Sequence, residues 1–157
     1  MIISWLNNRN FNSELLFRKT RDGSSPKDFH KKCDKKGTTI IFIEALKGYT
    51  FGGYTELEWD INSGVQKDNS TFLFSFNNKE KYTSANNYGN NFSICCEPKK
   101  NPFLRNEEPD ISFNDTLDIV KLYGGFYFNS LPIPKKLANG EENVDVKELE
   151  IYKITYL

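Results

Sequence analysis

The chain has 157 residues, enough for one domain with a sizeable hydrophobic core. Its 21 basic and 21 acidic residues give zero net charge, which disfavours a nucleic-acid binder that depends on phosphate contacts. No apolar run approaches the roughly 18 residues that cross a bilayer, so we expect no membrane insertion.

The first 25 residues predict a helix end, a strand and a turn. Ile2 and Leu6 lie at helical spacing before a polar run. We therefore predict residues 1-10 to be the end of an N-terminal helix, and leave open that the domain starts before Met1. Residues 14-20 predict a short strand, and residues 21-25 a turn in which Gly23 takes positive φ.

The best-marked helix follows. Ser25 is a strong N-cap residue, Pro26 suits the first helical position, and Asp28 completes a capping box. Gly37 is a natural residue just past a helix C-terminus. The pattern predicts a helix over 26-36.

Short apolar and β-branched runs predict strands through the rest of the chain. The predicted strands are 38-44, 49-59, 71-76 (central), 92-97, 109-113 and 146-157, with an edge strand within 77-91 and another strand after irregular structure in 117-128. Residues 60-70 predict a polar loop, and Gly52-Gly53 a bulge or a very close contact. The fold class is mainly β with flanking helices (α+β): two antiparallel sheets packed as a β-sandwich, in a single domain over 1-157.

The segment "LLFRKTRDGSSPKDFHKKCDKKGTTIIFIEALKGYTFGGYTELEW" (15-59) closely resembles the TLDc domain family. The strands at 72-76 and 146-154 also resemble family strands, so the similarity covers most of the chain. The residues that match the family motif, to which we assign structural roles, are Arg21, Asp22, Gly23, Phe29, His30, Cys33, Asp34, Gly37, Phe51, Gly52, Gly53 and Trp59.

The resemblance also implies a function. TLDc domains are two-sheet sandwiches associated with protection against oxidative damage, and several bind and regulate the cytosolic V-type ATPase. The family implies no cofactor and no agreed reaction. The resemblance therefore implies a cytoplasmic, non-enzymatic protein-interaction domain with the V-type ATPase as the leading partner.

His30 and Cys33 are the residues that most resemble a catalytic pair, and His30 is the only histidine. A thiol-dependent redox enzyme using Cys33 or Cys95/Cys96 is one alternative. Against it, Cys33 lies near a helix C-terminus, where the helix dipole disfavours a thiolate. A zinc site built from these four residues is also disfavoured, because adjacent strand residues such as Cys95 and Cys96 point to opposite faces.

A weaker alternative is a carbohydrate-binding β-sandwich that uses Trp59 and nearby tyrosines. Glu56 and Glu58 beside Trp59 resemble an acid/base pair, but alternating charges on the solvent face of a strand explain them equally well.

Lysines cover most of the predicted helix surface and segregate positive charge on a neutral protein. We call this set the lysine face: Lys27, Lys31, Lys32, Lys35 and Lys36. It is either an ordinary solvated helix face or a patch that docks an acidic protein surface.

Overall fold

The computed structural model describes residues 1–67, 70–83, 93–96, 103–105, 109–122 and 137–157. Within these residues three short helices accompany eleven strands. The helices are α1 Ile2–Trp5, α2 Lys19–Asp22 and α3 Pro26–Cys33. The strands are β1 Phe11–Arg18, β2 Thr39–Ala45, β3 Thr50–Thr55, β4 Gly64–Lys67, β5 Phe72–Ser75, β6 Glu80–Thr83, β7 Ser93–Cys96, β8 Phe103–Arg105, β9 Pro109–Phe113, β10 Ile119–Leu122 and β11 Asn143–Tyr156.

The strands confirm a mainly β, antiparallel fold, but the predicted sandwich of two sheets is not confirmed. In the described part of the chain all eleven strands join one sheet. Ten of them follow the order β4-β7-β8-β9-β10-β11-β2-β3-β5-β6, β1 pairs with β11 beside this path, and the sheet curls into a half-barrel. The joining strand is β11, whose 14 residues pair with β10 near its start and with β1 near its end, while β2 covers its other edge. A register shift between Val146 and Glu148 allows β11 to bend between these partners.

The main core lies inside the curl and draws on both halves of the sheet. Ile43 and Leu73 come from one half, Val120 comes from the other, and all three are buried in the same cluster. A second cluster covers the opposite face, where Phe72 and Phe74 pack beneath Trp5 of α1. Because apolar side chains alternate between the two clusters along β5, the predicted placement of its phenylalanines on one face is confirmed.

Helix α3 begins as predicted and ends earlier than predicted. The Ser25 side chain accepts from the Asp28 backbone, and the Asp28 carboxylate accepts from the Ser25 N–H, so the capping box is confirmed. The helix ends at Cys33 and not at residue 36. The backbone of Asp34 is extended because it forms an isolated β-bridge with Trp59. The N–H of Lys35 also donates to the Trp59 carbonyl at 2.8 Å.

Other strand boundaries also differ from the predictions. The strand predicted at 14-20 is β1, which ends at Arg18, and α2 replaces its last residues. The loop predicted at 60-70 contains β4, and β5 lies next to the edge strand β6 instead of at the sheet centre. Residues 84–92, 97 and 123–128, on which parts of three strand predictions fall, lie outside the described residues.

Gly52 lies where two strands approach closely. The β2–β3 pairing keeps its register through Gly52 and Gly53, so of the two predicted alternatives close contact is confirmed and a bulge is wrong. A Cβ atom at Gly52 would overlap the carbonyl oxygen of Ile41 and lie 2.7 Å from Phe74 Cζ.

We predict that Gly52→Ala lowers the free energy of unfolding by about 3 kcal/mol or more, because the clash involves backbone that cannot move aside. Urea unfolding measures the change. Gly48→Ala is the control: Gly48 has a φ of 86° and no atoms near its Cβ position, so it should cost only the conformational term of about 1–2 kcal/mol. Equal losses for the two variants would contradict the steric explanation.

Candidate functional site

The motif residues gather where α3 packs on the sheet. Phe29 is fully buried, and its ring meets Phe17 of β1 at 6.2 Å and Trp59 at 5.4 Å between centroids, both edge to face. Phe51 lies in the same core cluster. The aromatic residues of the motif therefore form the hydrophobic contact that fixes α3 to the sheet.

Asp34 joins the end of α3 to a distant segment. One carboxylate oxygen lies 2.7 Å from His30 Nδ1, and the other accepts from the backbone N–H of Ile61 at 3.0 Å. The His30 side chain is 4% exposed, and its Nε2 has no hydrogen-bond partner within the described part of the chain. We call the contacts among His30, Asp34 and Ile61 the Asp34 clamp. Its geometry orients a buried imidazole and closes a loop.

Trp59 completes this region and offers no surface for a sugar. Its side chain is fully buried, and its indole N–H donates to the Thr39 hydroxyl at 2.9 Å. The interpretation of Trp59 as a sugar-binding platform is therefore wrong. Glu56 and Glu58 are exposed, as alternation on a solvent face predicts.

Cys33 lies in an environment that suppresses thiol chemistry. It is fully buried, and burial, followed by the nearby negative charges of Asp34 and Asp22, raises the pKa of its thiol well above the ordinary range. A thiolate nucleophile needs the opposite shift. The backbone places Cys95 and Cys96 in β7, and their side chains lie outside the described residues. Among the described residues, no three His, Cys, Asp or Glu side chains are grouped to hold a metal ion.

Asp22 is the last residue of α2, which takes up the first two positions of the turn predicted at 21-25, and it is the polar centre of the segment before α3. Its carboxylate accepts from Arg21 Nη2 at 2.6 Å and from the Arg18 backbone N–H at 2.9 Å, and Lys32 lies 3.5 Å away. The hydrogen bond from Arg21 is the main reason that the pKa of Asp22 falls to about 2. Gly23 follows with a φ of 117°, as predicted, and a Cβ atom there would overlap the Asp28 carboxylate.

The lysine face is exposed throughout, but two of its five members are engaged. Lys32 pairs with Asp22, and Lys35 lies 3.9 Å from Asp60. Lys27, Lys31 and Lys36 form no ion pair with the residues that the structure describes. Gly37, which follows the face, has a φ of 78°. The free positive charge is therefore concentrated on three side chains.

A second polar feature was not predicted from the sequence. A small pocket beside α1 brings together Arg9, Tyr54, Lys81 and Tyr156. These residues come from four separated segments, and no spacing along the chain links them. Only the pairing of the strands could have identified the pocket.

The antiparallel sheet forms a half-barrel, and the aromatic residues of the motif pack the capped helix α3 against it. These features define a small, mainly β domain with one helix fixed to its sheet. Sequence comparison matches residues 1–155 to the TLDc domain, so the chain belongs to the TLDc domain family and the resemblance is confirmed.

Two curated relatives share part of this region. The MTOR-associated protein MEAK7 of Danio rerio is 33% identical over 61 residues, which are 39% of this chain and 14% of that protein. The MTOR-associated protein MEAK7 of Mus musculus is 30% identical over 78 residues, which are 50% of this chain and 17% of that protein. The matched region thus spans less than a fifth of either relative. Among the described residues, no helix is long and apolar enough to cross a membrane.

We predict that Asp34→Ala lowers the free energy of unfolding by about 2–3 kcal/mol, because it leaves a buried imidazole N–H and a backbone N–H without acceptors. Asp34→Asn keeps one acceptor oxygen and should lose less. Urea unfolding followed by tryptophan fluorescence, to which Trp59 beside the clamp contributes, measures both. Glu58→Ala, at an exposed position, is the control, and its free energy of unfolding should stay within about 0.5 kcal/mol of wild type. A loss for Asp34→Ala as small as that for Glu58→Ala would contradict a structural clamp.

Asp22 should make stability fall in acid. Its pKa is lower in the folded protein than in the unfolded chain, so its contribution is complete above the ordinary carboxyl pKa of about 4 and is lost as the pH falls towards 2. We predict that Asp22→Asn costs on the order of 1–2 kcal/mol at pH 7 and flattens the stability profile between pH 4 and pH 2. Urea midpoints across that range test this, and parallel profiles for variant and wild type would contradict it.

Proposed function

We propose that this TLDc domain is a non-enzymatic, cytoplasmic protein-interaction module that binds the V-type ATPase and contributes to protection against oxidative damage. The observation that carries the proposal is the division between the buried side and the exposed side of α3 and of the residues that follow it up to Lys36. The chemically reactive members of the motif, His30 and Cys33, are buried, while all five lysines are exposed. A surface of this kind supports docking to an acidic protein surface.

The thiol-enzyme alternative gains no support from Cys33. A nucleophilic thiol must be accessible and must ionise readily, whereas Cys33 is fully buried with a raised pKa. His30 already uses Nδ1 in the Asp34 clamp. Within the described residues, the pair therefore lacks the exposure that a redox cycle requires.

A second candidate partner follows from the relatives. Their name describes association with MTOR, and they are 30–33% identical to part of this chain. We propose MTOR as the alternative binding partner, to be tested in parallel with the ATPase.

We predict that the triple variant Lys27→Glu, Lys31→Glu, Lys36→Glu folds normally and binds the purified cytosolic sector of the V-type ATPase at least tenfold more weakly. These lysines make no ion pairs with the described residues, whereas reversing Lys32 or Lys35 would also break the contacts with Asp22 and Asp60. Surface plasmon resonance at low and at physiological salt measures the binding, with purified MTOR in a parallel arm.

The matched control carries the same charge change elsewhere. Lys79, Lys121 and Lys153 form no ion pair with the described residues and are not part of the lysine face, and their reversal to Glu should leave binding within about twofold. Equal weakening in the two triple variants would show a net-charge effect and remove the lysine face from the proposal. Binding by wild type to neither partner would overturn the assignment of both partners.

A further inference from the structure

The pocket beside α1 has a volume of about 190 Å³. A water molecule occupies about 30 Å³ and pockets for drug-sized ligands start near 300 Å³, so the space suits a group of only a few heavy atoms. Trp5 of α1 and Leu6, which follows it, form one wall, and β3, β5 and β6 contribute much of the rest. The pocket is thus built between a helix and the sheet.

Lys81 is a cation without a counter-ion in this pocket. Its Nζ donates to the Trp5 carbonyl at 2.7 Å and lies 4.3 Å from the centre of the Phe72 ring. No carboxylate in the described part of the chain pairs with it. Burial alone lowers the pKa of Lys81, so the ammonium has lost some of its water without gaining a negative partner. A partly buried cation in this state favours an anion.

Arg9 places a second cation on the lining of the same pocket. Its guanidinium lies 3.3 Å from the centre of the Tyr156 ring, which orients the planar group. The Tyr156 hydroxyl is 2.5 Å from that of Tyr54, and the Tyr54 ring stacks on Phe72 at 4.8 Å. A continuous chain of contacts therefore connects the Arg9 side of the pocket to Lys81.

One carboxylate also lines the pocket. Glu56 lies 3.5 Å from Arg9 and accepts from the Tyr54 hydroxyl at 2.9 Å. Among the described residues of the lining, two cations and one carboxylate leave one net positive charge. The balance fits a ligand group with a single negative charge.

We propose that this pocket binds one oxyanion, the carboxylate or phosphate group of a small soluble molecule, with Lys81 as its main counter-ion and Arg9 as the second. Because Trp5 and Lys81 share a hydrogen bond, an occupant also stabilises the docking of α1 on the sheet. The site lies apart from α3, and its failure would leave the proposed partner binding untouched.

Thermal unfolding of the whole chain tests the site with sodium phosphate, sodium acetate and sodium chloride at equal ionic strength. At saturation, phosphate, acetate or both should raise Tm by about 2–4 °C above the chloride value, since a ligand of the folded state alone stabilises it. Isothermal titration calorimetry gives the Kd for each anion. A rise with phosphate alone or acetate alone supports the site and identifies the preferred group.

Two variants make the test specific. Lys81→Met keeps an apolar stem beside Phe72, and Arg9→Gln removes the exposed second cation; circular dichroism checks that each folds. We expect Lys81→Met to raise Kd at least tenfold and to abolish the Tm rise, and Arg9→Gln to weaken binding by a smaller factor. Lys79→Met, an exposed lysine two residues away, is the control and should match wild type. No anion-specific rise in wild type, or equal rises in wild type and in the folded Lys81 and Arg9 variants, would overturn the proposal.

Discussion

The carboxylate of Asp34 is the contact on which the motif region depends. It holds the buried imidazole of His30 and accepts the Ile61 N–H, so two separate parts of the chain share one side chain. Such a group is costly to lose, because every donor that it satisfies would be left without a partner away from water. The family motif at this point thus encodes a structural joint. Its most reactive residue types, imidazole and thiol, serve packing and orientation.

The inner face of α3 is buried in the core, so only the outer surface of this helix is available for binding. Phe29 and Cys33 face the sheet, while the lysines face solvent, and the turn at Asp22 draws one of them back towards the protein. The pocket beside α1 shows the opposite arrangement, with a cation partly withdrawn from water on an aromatic ring. The domain therefore presents two kinds of positive charge: a solvated set suited to protein surfaces and a shielded one suited to a small anion.

The sequence predicted those features whose causes are local. The start of α3 follows from Ser25, Pro26 and Asp28, which act within one turn, and the two faces of β5 follow from alternation. The end of α3 was mispredicted because it is determined by Trp59, 25 positions from Asp34. The single sheet was missed for a similar reason, since period-2 patterns do not reveal that one long strand pairs with partners on both of its edges. The exposure of Lys27, Lys31 and Lys32 was predictable from helical spacing, whereas Lys35 and Lys36 lie beyond the end of α3. The ion pairs of the lysine face and the anion pocket depend on distant segments.

The position of β11 also governs when the chain can fold. In the described pairings, β1 at residues 11–18 has β11 at residues 143–156 as its strand partner. During synthesis the β1 segment therefore leaves the ribosome with an unpaired edge more than a hundred residues before its partner strand is made. Folding dominated by such distant pairing is slow. Nascent TLDc chains of this kind should depend on chaperones that shield exposed strand edges until β11 emerges.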